Sequence, residues 1–512
     1  MKTATALLAA AATPAVVLAA ETKAKCKPYV TSESLQELVR LEDLLAGSQT
    51  LQDIADANGG NRAFGGGGHN ATVDWLYDTL SATGYFDVVK QPFVELFSAG
   101  SATLSGAGGT KQYTADILTY TAGTGGQTLS RPVVAVANLG CDAADYPAGD
   151  AIKDNIALVR RGTCDFSTKA SLAKAAGAAA AIVYNNVPGD VSGTLGKQSD
   201  ANAPIVGIPQ DEGAAILAAL ASGPVVLDLS IESIIKNRTN YNVIAETKLG
   251  DKDNVLVLGG HSDSVYAGPG INDDGSGTVG VWAVAKALAG FRVKNAVRFA
   301  FWGAEEYGKL GSFYYVKQLN KTEAEIAKIR AYLNFDMIAS PNYVYGIYDG
   351  DGSAFNFSGP AGSDQIERDF EDFFKANNLP SVPSVFSGRS DYAGFIENGI
   401  PSGGLFTGAE VLKTAEEAAL FGGEAGAPYD ANYHQAGDTV ANLDHDAYLV
   451  NTKAIANSVA KYAMSWSSLP AVHLPQRRWS ADRHRALNNA RSVPGHGHAH
   501  AHSGPCGGGS LI

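Results

Sequence analysis

Residues Val255 to Leu288 read VLVLGGHSDSVYAGPGINDDGSGTVGVWAVAKAL, and the succession of textures along them sets the fold. Four consecutive apolar residues, Val255 to Leu258, predict a strand buried on both faces, as in a parallel sheet. Apolar positions Val281, Val284, Ala285 and Leu288 then recur near the helical period, and Asp274, Ser276 and Thr278 offer capping oxygens just ahead of them. A strand followed by a helix, with one imidazole and three carboxylates between them, is an α/β unit whose ligand crevice lies beyond the carboxyl end of the strand. His261, Asp263, Asp273 and Asp274 all fall in that crevice.

Downstream the pattern repeats. AVRFAFW (Ala296 to Trp302) is a strand-like run that delivers Glu305 and Glu306, and AYLNF (Ala331 to Phe335) delivers Asp336. SVFSGRSDYAGF carries Arg389 and Asp391, and Tyr433 and His434 follow a loop rich in Gly and Ala. Two histidines and several carboxylates, with no cysteine among them, suit a borderline-to-hard divalent ion such as zinc. The spacing predicts two ions that share one carboxylate, because two separate sites would need more ligands than the five at hand, and Asp273 in the turn before the helix is the natural bridge. Asp263, two residues past His261, is placed to accept the second ring N–H of that imidazole. Glu305 and Glu306 are adjacent, so one is expected to bind metal while its neighbour takes a proton from the attacking water and passes it to the leaving amine. Ser262 beside His261 suggests serine chemistry instead, but GGHSDS lacks the G-x-S-x-G elbow.

Upstream, Leu35 to Ala55 alternates apolar and charged positions at helical spacing and predicts one amphipathic helix. A glycine-rich turn, Gly65 to Gly68, precedes His69, a structural histidine by position, and Asn70, expected to cap a helix through Leu80. From about Leu118 to Leu229 the texture changes to short β-like runs (VVAVANLGC, IALVRRGTC, AAAIVYNN) with one Ala-rich helix around Leu172 to Ala180. This predicts a small inserted α+β domain. In an oxidising compartment Cys141 and Cys164 are expected to close a disulfide, while the state of Cys26 and Cys506 is open.

The chain has 512 residues, 45% hydrophobic and 18% charged, with a net charge of -13. That length predicts two domains or one domain with a large insertion, and that charge disfavours nucleic acid or an anionic membrane as partner. A peptide or small molecule is the expected partner, and a monomer the expected state. Residues 1–20 have the form of a secretory signal peptide, and no later stretch is apolar for long enough to span a membrane. Sequons at Asn70, Asn237, Asn320 and Asn356 fit a glycosylating pathway, with secretion expected and a vacuolar lumen as the alternative. The expected division is 1–20 signal, 27–117 with 230–466 as the main domain, 118–229 as the insert, and 467–512 as a disordered basic, then His- and Gly-rich tail.

The insert resembles the protease-associated domain of secreted peptidases in NLGCDAADYP, IALVRRGTCDFSTKASLAKAAGAAAAIVYNN and PIVGIPQDEG. GGHSDSV, GINDDGSG, FWGAEEYGKLGS, LNFDMIASPN, GRSDYAGF and YHQAGDT, together with NRAFGGGGHNATVDWL, resemble the co-catalytic zinc aminopeptidases, in particular vacuolar aminopeptidase Y and the secreted fungal leucine aminopeptidases. The resemblance covers nearly everything from Leu35 to Trp466 and implies the zinc exopeptidase fold, a mixed, mostly parallel sheet flanked by helices. It implies two zinc ions per chain, with His261 and Asp336 on one, Glu306 and His434 on the other, and Asp273 bridging them. It further implies Glu305 as general base, Asp263 behind His261, Tyr433 as hydrogen-bond donor to the oxyanion, and Arg389 as an aid to holding substrate. Relatives often place a cysteine pair around the last histidine, and YHQAGDT has none. The activity implied is release of the N-terminal residue, leucine or another apolar one, from peptides with a free α-amine. Carboxypeptidases with the same insert and glutaminyl cyclases share a similar ligand set. Receptors of this fold have lost their metals, whereas every ligand position is filled here.

Overall fold

The computed structural model describes residues 27–147, 149–191 and 193–470. The signal segment, Cys26, Cys506 and the tail from 471 onward lie outside the described residues. The main sheet is built from eight strands, numbered here in chain order: β1 Phe86–Gly106, β2 Val226–Thr247, β3 Asp251–His261, β4 Asn295–Trp302, β5 Ile329–Phe335, β6 Gly346–Tyr348, β7 Val382–Ser384 and β8 Ser402–Phe406. Their spatial order is β7-β6-β8-β5-β3-β4-β2-β1. The central strands β4, β3, β5 and β8 run parallel, and β2 and β1 join antiparallel at one side.

The run VLVL is buried on both faces because each side of the sheet has its own core. Leu256 and Leu258 pack with Phe299, Phe301, Leu333 and Phe335 beneath helices α1 Leu41–Asp56, α2 Gly67–Ala82, α3 Gly275–Leu288, α4 Ser363–Ala376 and α5 His445–Met464. Val255 and Val257 point the other way, toward Trp302, Tyr332 and Phe395. Tyr332 and Phe395 stack with centroids 3.8 Å apart, and the Trp302 indole N–H donates to the Tyr332 hydroxyl at 2.8 Å. Each such fully buried apolar side chain stabilises the fold by roughly 1.5–3 kcal/mol.

The insert has its own parallel strands, Leu129–Ala135, Ile156–Arg160, Ala180–Tyr184 and Ile205–Ile208, with Asp116–Ile117 antiparallel at the edge. Cys141 and Cys164 are joined, their Cα atoms 5.8 Å apart. Insert and main sheet are connected by β1 and β2, which pair with each other from Phe86 opposite Thr247 to Gly106 opposite Leu227. The other edge of β2 is taken by β4 near Val243 to Glu246 and by the first insert strand near Val226 to Leu229.

Three local expectations are corrected. The predicted helix from Leu35 to Ala55 is two helices, Ser32–Gln36 and α1, because Arg40 takes an extended conformation ahead of α1; the bend lets both Leu35 and Leu44 bury fully. Asn70 does not cap α2, which begins at Gly67 after Gly66. The glycine run is the first helical turn as much as a turn before it, since a Cβ on Gly68 would lie 2.1 Å from the Asn61 carbonyl oxygen. The Ala-rich helix of the insert spans Phe166–Ala175, and Ala180 already belongs to the next strand, buried in the insert core.

Candidate active site

Beyond the carboxyl ends of β3, β4 and β5 the chain places His261, Glu305 with Glu306, and Asp336. The loop from β3 to α3 adds Asp273, and the loop ahead of α5 adds His434. Asp273 lies between the imidazoles: its Oδ1 is 3.1 Å from His261 Nε2 and its Oδ2 is 3.2 Å from His434 Nε2. Asp336 Oδ1 lies 3.7 Å from His261 Nε2, and Glu306 Oε2 lies 3.0 Å from His434 Nε2. One donor atom each from His261, Asp273 and Glu306 falls within 4.8 Å of the others, as does one each from His261, Asp274 and Asp336. His261, Asp273, Glu306 and Asp336 are buried, and the His434 side chain is 21% exposed.

Burying carboxylates this close together requires positive charge among them. The imidazoles supply part of that charge. Burial disfavours a charged His434, but the Glu306 carboxylate and Asp273 outweigh it and hold the ring up at about 10. Burial likewise opposes ionisation of Asp273, yet hydrogen bonds from His261 and His434 hold it below the usual carboxylate range. Two imidazoles and three carboxylates with no thiol form a donor set that fits two zinc ions.

Asp274 belongs to the scaffold. Its oxygens accept the backbone N–H groups of His261 at 3.0 Å, Gly277 at 2.9 Å and Met337 at 3.0 Å, which ties β3, α3 and the end of β5 together. Gly260 permits this approach, for a Cβ there would lie 2.3 Å from Asp274 Oδ2.

Asp263 meets His261 Nδ1 with its backbone carbonyl at 3.2 Å and its carboxylate at 3.7 Å, and Oδ1 also accepts the Glu305 backbone N–H at 3.0 Å. Nδ1 therefore donates to the Asp263 carbonyl, and Nε2 faces Asp273 and Asp336. Burial pushes the Glu305 carboxyl well above its ordinary range, with His261 acting against it. Tyr433 stacks on His434 with centroids 3.8 Å apart. Arg389 donates to the Tyr433 hydroxyl at 3.1 Å and pairs with Glu410 at 2.7 Å. Asp391 is buried at the start of helix Tyr392–Glu397, and burial pushes it up to about 7. His69 lies behind the site, its Nε2 2.9 Å from the Ser262 hydroxyl, and burial pushes it down to about 4.

Several residues that shape the site carry no motif of their own. Asp438 accepts the backbone N–H groups of Asn272 at 2.8 Å and Asp273 at 3.0 Å. Asp430 accepts from the side chains of Asn272 and Asn442, and Asn432 donates to Asn442 at 2.6 Å. This polar network holds the His434 loop. Arg62, fully buried, donates to the carbonyls of Ser262, Pro269 and Gly270 and so grips both ends of the loop after His261. Ser390 donates to Asp336 Oδ2 at 2.5 Å. Asp438 and Ser390 sit inside the quoted stretches YHQAGDT and GRSDYAGF, and Arg62 inside NRAFGGGGH. Only Asp438 shares its stretch with a ligand, His434, and membership of a stretch does not say which atom is held.

The sequence profile of Peptidase family M28 matches residues 242–459, and that of the PA domain matches residues 129–216. Leucine aminopeptidase 2 of Arthroderma otae is 50% identical over 472 residues, covering 92% of this chain and 92% of its own. A probable leucine aminopeptidase 2 of Aspergillus fumigatus is 54% identical over 448 residues, covering 87% of this chain and 88% of its own. Among solved structures, the aminopeptidase from Aneurinibacillus sp. strain AM-1 superposes with a TM-score of 0.67 at 25% identity, over 88% of this chain and all of that one. A zinc aminopeptidase from Bacillus subtilis has the same fold, with a TM-score of 0.61 at 24% identity over 83% of this chain and 95% of that one. The chain belongs to peptidase family M28 and carries an inserted PA domain.

Proposed function

We propose that this chain is a zinc-dependent aminopeptidase that hydrolyses the first peptide bond of substrates with a free α-amine. The observation that carries the reading is the single Asp273 carboxylate, shared between two imidazoles that each have a further carboxylate beside them. In this assignment His261 and Asp336 would hold one zinc, Glu306 and His434 would hold the other, and Asp273, which faces both imidazoles, would serve both. When bound, the ions supply Lewis acidity that polarises the scissile carbonyl and lowers the pKa of an attacking water.

The chain's own residues carry the rest. Glu305, with its carboxyl raised by burial, takes the proton of the attacking water and later returns it to the departing amine. Asp263 keeps the proton of His261 on Nδ1, so that Nε2 remains a lone-pair donor. Tyr433 donates its hydroxyl proton to the oxyanion of the tetrahedral intermediate. Preference for leucine and similar first residues is supported by the two fungal relatives named leucine aminopeptidase 2.

The signal-like residues 1–20 support entry into the secretory pathway, with secretion as the destination. Among the described residues no helix is long and apolar enough to cross a membrane. Of the four sequons, Asn70, Asn237 and Asn356 sit at exposed positions, while Asn320 is partly buried and its amide donates to Asn398; we assign glycans to the three exposed ones. The division at 229/230 is likewise our assignment, and at the other end we extend the insert from the expected 118 back to Asp116, whose short strand pairs with Ile205–Ile208.

The test is hydrolysis of a short leucyl peptide beside the same peptide acetylated at its N-terminus. Release of leucine from the free peptide alone is the expected outcome, and equal cleavage of both, or of neither, would overturn the reading.

A further inference from the structure

Three loops beyond the strand ends converge beside the metal ligands. Arg389 stands after β7, Glu410 after β8, and Tyr433 immediately before His434. One guanidinium joins them. Its Nη1 lies 2.7 Å from Glu410 Oε1, while Nη2 lies 3.4 Å from Glu410 Oε2 and 3.1 Å from the Tyr433 hydroxyl. The two-pronged pairing with a carboxylate fixes the plane of the guanidinium as well as its position. The backbone fastens the same loops, because Tyr429 N–H donates to Val411 O at 3.0 Å and Asp430 N–H to Ala409 O at 2.8 Å. Glu410 is therefore anchored to the segment that leads into Tyr433 and His434.

Hydrogen-bond direction then has a consequence for chemistry. Arginine has five N–H donors and no acceptor. The Tyr433 oxygen must accept from Arg389, so its own proton is turned away from Arg389. We propose that Glu410 and Arg389 are positioning residues for the reaction: Glu410 orients the Arg389 guanidinium, and Arg389 occupies an acceptor site of the Tyr433 hydroxyl so that the Tyr433 proton is aimed at the oxyanion. This rests on the reading of Tyr433 as oxyanion donor. It gives Arg389 a role exerted through Tyr433, and it brings in Glu410, which no motif marked.

A double-mutant cycle on the zinc-loaded enzyme tests the proposal. Tyr433→Phe, Glu410→Gln and Arg389→Lys are compared singly, and the last two also in the Tyr433→Phe background, with leucyl peptide as substrate. Lysine keeps the charge but presents a point donor that cannot hold both partners in one plane. Tyr433→Phe is expected to lower kcat by about a hundredfold, and Glu410→Gln and Arg389→Lys each by roughly tenfold through misplacement of the hydroxyl. KM should stay within about twofold, since the interaction lost is made in the transition state only. In the Tyr433→Phe background the other two substitutions should cost nothing further, because there is no phenol left to aim. Zinc content and thermal unfolding checked alongside ensure that each variant is folded and loaded. Losses that persist in the Tyr433→Phe background, or that appear in KM, would overturn the positioning role and leave Tyr433 as donor. An unchanged kcat in Tyr433→Phe would overturn both, and an unchanged kcat in Glu410→Gln would overturn the part given to Glu410.

Discussion

The Asp438 carboxylate accepts the backbone N–H of Asp273 at 3.0 Å. The loop that carries His434 thus grips, from behind, the one residue whose side chain faces both imidazoles. Asp438→Asn keeps the size but turns one acceptor into a donor facing the N–H of either Asn272 or Asp273. Zinc affinity or kcat should fall about 10- to 100-fold, the usual cost of losing a partner behind a ligand. Metal titration followed by competition with a chromophoric chelator measures the first, and leucyl-peptide turnover the second. Wild-type values in both would show that the hydrogen bond is dispensable.

Glu305→Gln keeps the shape of the side chain but cannot accept a proton at neutral pH. It should retain two zinc ions per chain by elemental analysis while kcat drops by about 10²- to 10⁴-fold. Loss of zinc in this variant would make Glu305 a ligand instead.

His434→Ala removes the imidazole that faces Glu306 and Asp273. One ion should bind far more weakly, and the other should stay because His261, Asp273 and Asp336 are untouched. Chelation of the wild type should abolish turnover, and added zinc should restore it. Two tightly held ions in His434→Ala would contradict the assignment.

In the insert, burial and then the nearby Asp190 push the Asp116 carboxyl up to about 6. Unfolded, it titrates at about 4. Between those values the folded state holds a proton that the unfolded state has released, so stability is greatest below about pH 4 and is lost as pH rises through about 6. Asp116→Asn keeps an oxygen for the Val191 N–H, which Asp116 accepts at 3.1 Å. The variant should lose that slope and gain stability at pH 7. Denaturant melts of both proteins at pH 4.5 and 7 provide the comparison, and parallel pH dependence in the two would refute the assignment.

The parallel core was legible because burial on both faces leaves an unbroken apolar run, as Val255 to Leu258 shows. Residues that end such strands, His261, Glu306 and Asp336, were legible as a set because chemistry at strand ends is a rule of open α/β sheets. The bend at Arg40 and the start of α2 at Gly67 were hidden for a different reason. Neither is dictated by local pattern: each depends on what the segment meets in space, the shared core for Leu35 and Leu44, and the Asn61 carbonyl for Gly68. Asp274 marks the same limit within the site. A carboxylate beside a ligand looks like a ligand in sequence, and only its three backbone donors show that it holds the scaffold together.

The paired strands β1 and β2 leave the main sheet side by side and reach the insert in unbroken register. A single-chain tether would transmit no torque, whereas a hydrogen-bonded double strand resists twisting and sliding along its whole length, so the orientation of the insert over the host is inherited from the register of one ladder. The same geometry sets where the insert would be excised. Gly100 and Ser233 face each other across the ladder, and chain ends cut there already lie at hairpin distance, within reach of a two-residue turn.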